Sequence, residues 1–181
     1  MTLTDTLPVA LNSLCASAYN GVIYIFSGND GSDIVNTVYA YTPGANPSAV
    51  ALSAGTYSGR MYVKIVALSA QLVIIGGSNG TAVKDICSFN PGDLSMSDAP
   101  IDLSSARYAF AAVSLGSDIY LFGGKSGNQI TSRYSTAIGE VQDFDMPVFL
   151  EGPAAATNGS NIFVFGGSTG LPGNAVYRFT P

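Results

Sequence analysis

Ile119-Tyr120-Leu121-Phe122-Gly123-Gly124 is a short apolar run, rich in β-branched and aromatic residues, that stops on two glycines. The same pattern occurs three more times, as Ile23-Tyr24-Ile25-Phe26-Ser27-Gly28, Leu72-Val73-Ile74-Ile75-Gly76-Gly77 and Ile162-Phe163-Val164-Phe165-Gly166-Gly167. The closing glycines fall at 28, 77, 124 and 167, at intervals of 49, 47 and 43. Runs of this length and composition are strands, and a glycine pair suits a strand end that needs φ > 0 or a close backbone approach.

More of the unit recurs around each run. Ten or eleven residues after the glycine comes an alternating segment: Val38-Tyr39-Ala40-Tyr41-Thr42-Pro43, Ile86-Cys87-Ser88-Phe89-Asn90-Pro91 and Val176-Tyr177-Arg178-Phe179-Thr180-Pro181. The third copy keeps only Arg133-Tyr134 before it departs. Upstream, Arg60 and Arg107 each stand seventeen residues before their glycine and open an alternating segment. Each unit therefore reads as strand, tight turn, buried strand, glycine pair, polar loop, strand, turn, strand. No helical stripe interrupts it. Four antiparallel strands at this period are the pattern of a β-propeller blade.

Composition bounds the function. The chain has 181 residues, no His and no Trp, 7 basic and 12 acidic residues, a net charge of −5 and 47% hydrophobic residues. Without His there is no Ser-His-Asp or Cys-His catalysis and no His-ligated metal. The few basic residues are scattered, which argues against a phosphate-tracking nucleic-acid surface. Cys15 and Cys87 lack CxxC spacing and read as small buried hydrophobes. The N-terminus has no basic region ahead of an apolar run and does not read as a signal peptide, and no run is long enough to span a bilayer. The expectation is a soluble chain with no visible address. Asn79-Gly80-Thr81 and Asn158-Gly159-Ser160 read as turns, not as glycan acceptors.

The four units resemble the kelch repeat, in which a glycine pair closes an Ile-Tyr-Val-Phe-like strand and a Tyr and an aromatic-x-Pro follow. Arg107–Gly124 is the nearest stretch and Gly21–Pro43 is close behind. The chain departs from the family in lacking the outer-strand Trp, in Ser27 at the first glycine, and in the missing aromatic-x-Pro of unit three. The resemblance implies an all-β, kelch-type β-propeller of four blades with four antiparallel strands each. The units are 12–55, 56–103, 104–148 and 149–181 within one domain, 1–181. The last unit lacks an outer strand, and Thr6–Leu11 looks like that strand, so segment 5–11 is expected to pair into the last blade and close the ring. Alternatives are an open piece of a larger ring, assembly with a second copy, and a truncated gene product.

Propeller ligands sit where loops converge on the channel. The loops after the glycine pairs offer Asn29, Asp30, Asn79, Asn128 and Arg133, although such residues also serve turns. Asn29-Asp30-Gly31-Ser32-Asp33 is like the start of a calcium loop, but the distal Glu is missing, so no metal is assigned. Arg60, Lys64 and Arg107 are placed on first strands, nearest the axis. Facing inward they would bind a carboxylate or acidic peptide; paired with Asp102 or Asp118 they are structural. The alternating tyrosines read as blade core rather than as a sugar platform, and Tyr57 and Tyr62, less regular than the rest, are channel candidates. Glu140, Asp143, Asp145 and Glu151 read as a solvated connector, although two carboxylates are the minimum for glycoside chemistry.

The function expected is a non-catalytic binding or scaffold module that engages a protein or peptide through face loops, without a cofactor, as a monomer or homodimer. Its alternatives are a carbohydrate-binding or sugar-isomerising propeller and a half-ring of a larger one. The copper oxidases of the resembled family need His ligands and are excluded.

Overall fold

The computed structural model describes residues 5–45, 47–50, 57–125, 130–137 and 140–181. These residues form fifteen β-strands and no helix. Hence no described helix is long and apolar enough to cross a membrane. Sheet one holds β1 (Cys15–Tyr19), β2 (Val22–Phe26), β3 (Val38–Tyr41) and β4 (Ser48–Ala49). Sheet two holds β5 (Lys64–Ala67), β6 (Leu72–Ile75), β7 (Ile86–Asn90) and β8 (Ser95–Asp98). Sheet three holds β9 (Ala111–Leu115), β10 (Asp118–Phe122), β11 (Ile130–Ser135) and β12 (Glu140–Asp145). Sheet four has only β13 (Ala154–Thr157), β14 (Ile162–Phe165) and β15 (Val176–Phe179). Every pairing is antiparallel between chain neighbours.

Local chemistry explains the hairpins. Asn20 and Gly21 join Tyr19 to its partner Val22 with φ of 48° and 81°, the two positive angles of a type I′ turn. In all four units the residue after the glycine pair bridges back to a residue seventeen positions upstream: Asn29 to Asn12, Ser78 to Met61, Lys125 to Tyr108 and Ser168 to Glu151. The loop entering each first strand is therefore tied to the loop leaving each second strand.

The sheets stack face to face. Strand alternation gives each sheet two apolar faces. Tyr24 and Phe26 of β2 meet Leu72 and Ile74 of β6 in one core. Val73 and Ile75 of β6 meet Ile119 and Leu121 of β10 in the next. Tyr120 and Phe122 of β10 meet Ile162 and Val164 of β14 in the third. The first and third residues of each quartet thus face the preceding sheet, and the second and fourth face the following one. The first strands β1, β5, β9 and β13 lie side by side in that order.

The ends of the stack depart from the expected closure. Thr6–Leu11 forms no strand, and sheet four keeps three. Asp5, Thr6 and Leu7 lie instead against sheet one, beside Ile25, Tyr41 and Pro47. Tyr41 donates its hydroxyl to Asp5 Oδ2 at 2.6 Å. No contact comparable to those between neighbouring first strands links β13 to β1 among the described residues. Unit three shows the opposite surprise. Glu140, Asp143 and Asp145, expected in a connector, belong to the full outer strand β12. Its pairing with β11 is the longest in the fold, six residues, despite the lost aromatic-x-Pro.

The glycine pairs make the close stacking possible. Gly77 donates its N–H to the Arg107 carbonyl at 3.0 Å, and Gly124 to the Leu150 carbonyl at 2.8 Å, each reaching the loop of the following sheet. A Cβ on Gly76 would stand 2.7 Å from the Arg107 carbonyl oxygen, and one on Gly123 would collide with the Leu150 carbonyl. Gly166 has nearly the same φ as Gly123, 61° against 68°, but its nearest neighbour would be 3.4 Å away. Comparing the two separates conformational strain from steric blockage. Gly166→Ala is expected to cost the left-handed penalty alone, about 1–2 kcal/mol. Gly123→Ala is expected to cost that plus at least as much again for overpacking. Urea unfolding of both variants measures the difference, and equal losses would refute the blockage.

Candidate functional site

Arg60 and Arg107, offered as channel candidates with a structural alternative, are buried between sheets. Both sit four residues before their first strand, Arg60 ahead of β5 and Arg107 ahead of β9, and they are 3% and 0% exposed. The Arg60 guanidinium donates through Nη1 to the Gly76 and Asp85 carbonyls at 3.2 and 3.1 Å, and through Nη2 to Cys87 Sγ at 2.8 Å. It lies 5.8 Å from the Tyr57 ring centroid and 3.9 Å from the exposed Asp85 carboxylate. Arg107 donates through Nη2 to Ser132 Oγ at 2.9 Å, and Ser132 passes the contact on to Asp143 at 2.5 Å. Ser104 also donates to Asp143. Cys87 and Ser132 pair with the third residues of their quartets, Ile74 and Leu121, so the two arginines fill the same place in successive sheets. Burial lowers the Arg107 pKa and the Asp143 charge opposes that shift.

A polar knot joins sheets one and two around Arg60. Ser27, in the left-handed region at φ 57° where other units carry glycine, accepts the Arg60 N–H at 3.0 Å. Its Oγ also shares a 2.6 Å hydrogen bond with the Tyr57 hydroxyl. Tyr57 is therefore a packed, hydrogen-bonded core residue and not a channel residue. Burial, against the opposing Ser27 hydrogen bond, pushes its pKa up to about 12. Burial likewise raises the Cys15 and Cys87 thiols, which makes both poor nucleophiles.

The other candidates disperse. Lys64 is the first residue of β5, half-buried, near enough to Cys15 to favour its thiolate. Arg133 lies on β11, paired with Gln142 at 2.5 Å and with Asp118 at 3.8 Å. Asp102 pairs with Lys84 at 3.6 Å. Asn29 accepts the Gly31 N–H, and Asp30 accepts those of Ser32 and Asp33, which lower its pKa. Asn79 accepts from Thr81. These are turn contacts, and no group of three potential metal ligands occurs among the described residues. Asn128 lies outside the described residues.

Two surfaces stand out that the sequence reading did not assemble. One joins Tyr62 to Tyr108, with ring centroids 5.8 Å apart and planes at 30°. Tyr62 is 47% exposed and has φ 55°, an outlier for a bulky side chain. Ser13, Ala109 and Gly152, each fifteen residues before the last glycine of its own unit, share that positive φ. The backbone explains two of the four: Tyr62 N–H reaches Ser13 C=O at 3.1 Å and Gly152 N–H reaches Ala109 C=O at 2.7 Å, each linking the loops of neighbouring units. The spacing was the available signal, but three different residue types besides Gly fill it. Lys125 and Glu151, paired at 3.6 Å, belong to the same set of loops.

The second surface is the outer face of sheet four. Phe163 and Phe165 hold the two quartet positions that face the next sheet elsewhere, yet Phe165 is 42% and Val176 60% exposed. Leu171 in the adjoining loop is 77% exposed. Set beside known proteins, the chain matches no family model and no curated protein.

Two measurements check these placements. Arg107→Ala is expected to destabilise the fold by about 2–4 kcal/mol through lost packing and unpaired polar groups, against under about 1 kcal/mol for Lys125→Ala in its exposed pair. Similar losses in denaturant melts would sink the assignment of Arg107 to the interior. For Tyr57, a folded pKa above the unfolded value of about 10 contributes stability that is complete below pH 10 and lost as pH rises toward 12. Tyr57→Phe is expected to flatten the fall of melting temperature between pH 10 and 12, and an unchanged slope would contradict the assignment.

Proposed function

We propose that this chain is a kelch-like propeller module of four units that acts by binding protein and not by catalysis. The observation that carries the reading is the bare apolar face of sheet four, where Phe163, Phe165 and Val176 form a contiguous patch while the corresponding faces of the other three sheets are covered. Contiguous exposed apolar surface of this kind marks interaction sites. The fate of the charged candidates supports the same reading. Arg60, Arg107 and Arg133 are committed to internal hydrogen bonds and ion pairs, so they offer no convergent acid–base or anion-binding set.

The face is tested by a photo-crosslinking amino acid, p-benzoylphenylalanine, placed at Val176 and, as a control, at the exposed Ser97. In extract from the native source, discrete adducts identified by mass spectrometry are expected at 176 and not at 97. Equal labelling at both positions, or none at 176, would remove the reading.

A second reading, carbohydrate binding, is favoured by the Tyr62–Tyr108 pair. The exposed Tyr62 ring, set against the half-buried Tyr108 ring on a left-handed backbone residue, suits stacking on a sugar face. Titration with a panel of mono- and disaccharides, followed by NMR, is expected to shift the Tyr62 and Tyr108 ring signals. Tyr62→Ala should then weaken binding by about tenfold, or 1.4 kcal/mol. Unmoved ring signals at saturating sugar would dismiss it.

A further inference from the structure

A cleft lies at the end of the first strands opposite to Tyr62 and Tyr108. It opens between the β5–β6 turn of sheet two and the β9–β10 turn of sheet three, with a volume of about 330 Å³. Leu68 walls it on one side, and Ser114, Gly116, Ser117 and Thr136 wall it on the other. No charged side chain lines it. Its size falls at the lower end of the range of small-molecule sites, about 300–1,000 Å³.

The repeat supplies the comparison. Counted from the last glycine of each unit, Leu68 holds the place of Tyr19, and Gly116 holds the place of Ser69. Between sheets one and two that place is filled. Tyr19 packs against the core shared by those sheets and donates its hydroxyl to the Ser69 carbonyl at 3.1 Å. Between sheets two and three the ring is gone. Leu68 packs against the next core, but it is shorter and brings no donor. Among the described residues no hydrogen bond reaches the Gly116 carbonyl.

The facing wall changes at the same joint. Ser114 stands where sheet two has Ala67, Ser117 where it has Ala70, and Thr136 where it has Pro91. Ser114 shares the face of its cross-strand partner Ile119, which looks toward sheet two, so its hydroxyl is on the cleft side. Thr136 gives its proton to the Ser117 carbonyl at 3.2 Å, which leaves its oxygen as an acceptor. A joint that had only lost its ring would keep the apolar wall. This one has exchanged three apolar positions for hydroxyls and stands open.

We propose that the cleft binds a neutral phenol, seated as Tyr19 is seated one sheet earlier. The ring lies on Leu68, its hydroxyl donates to the Gly116 carbonyl, and the hydroxyls of Ser114 and Ser117 meet polar substituents at its rim. A phenol is uncharged below its pKa of about 10, which suits a cleft without charged side chains. The aliphatic contact supplies attraction and the carbonyl supplies direction, since a ring without a hydroxyl leaves that acceptor unmet. A free small phenol and the tyrosine side chain of a peptide present the same group. The site is separate from the apolar face of sheet four and from the Tyr62 ring, and it stands or falls without them.

Titration of the ¹⁵N-labelled full chain with p-cresol, followed through its amide signals, tests it. Saturable shifts are expected at Leu68, Ser69, Ser114, Gly116 and Thr136, with none at Tyr62 or Tyr108. Toluene, which lacks the hydroxyl, is expected to bind at least about tenfold more weakly. Leu68→Tyr is expected to set its own phenol on the Gly116 carbonyl and to abolish the p-cresol shifts, with the rest of the spectrum unchanged. Ser114→Leu fills the cleft from the facing wall and is expected to abolish them as well, which keeps the test decisive if Leu68→Tyr does not fold. N-acetyltyrosinamide in a parallel titration separates the two sources: binding as tight as that of p-cresol assigns the cleft to a tyrosine-bearing peptide, and binding of p-cresol alone assigns it to a free phenol. Three results overturn the proposal: no saturable shift at these residues, toluene binding as tightly as p-cresol, or p-cresol shifts that persist in a folded variant whose cleft is filled.

Discussion

A carbonyl oxygen from one unit rests on the glycine pair of the unit before it, and the stack is organised around that contact. Gly77 and Gly124 donate their amides to the Arg107 and Leu150 carbonyls. The preceding glycines, Gly76 and Gly123, leave room where any side chain would stand in the way. Side-chain packing follows from that spacing. Once the loop is pinned there, the quartet of the next second strand faces back onto the sheet already in place, and the three cores fill in turn. Ser27 is the informative exception. Its side chain turns the steric problem into a bond by accepting the Arg60 amide and sharing a hydrogen bond with Tyr57.

The buried arginines belong to the same joint. A guanidinium is costly to desolvate unless its donors are met, and Arg60 and Arg107 meet carbonyls, a thiol and a hydroxyl inside the stack. Unit four shows what the position requires. Leu150 takes the place of the arginine at 2% exposure, and the residue opposite is Tyr177 where units two and three have Cys87 and Ser132. The site accepts either a cation with polar partners or an aliphatic side chain against an aromatic one. That is the behaviour of a packing position and not of a ligand site.

The strands and their grouping were legible because they depend on local pattern. The four apolar quartets, the Asn20-Gly21 turn and the glycine pairs each carry a period or a backbone requirement visible in residue type. Less legible were features set between units. Spacing from the glycine puts Arg60 and Arg107 on first strands, but the alternation begins before the strand does, and their direction depends on which sheet arrives beside them. The left-handed position shared by Ser13, Tyr62, Ala109 and Gly152 carries no common residue, and at Tyr62 and Gly152 a hydrogen bond between loops holds it. Strand β12 was hidden for a different reason: its acidic residues resembled a loop, yet Asp143 is held by Ser104 and Ser132. Thr6–Leu11 had the composition of a strand and forms none, since strand formation there needs an edge within reach.

Sheets one to four form a row in which nearly all apolar contact is between nearest neighbours, as in a solenoid. Sheets two and three are each clamped on both faces, and sheet one has segment 5–7 along one side. Sheet four alone leans on a single neighbour. Cooperativity is therefore unevenly distributed along the chain. The middle opens only when everything opens, while the three-stranded end can fray through its own low-energy fluctuation, and whatever settles on Phe165 and Val176 extends the cooperative unit to the last residue.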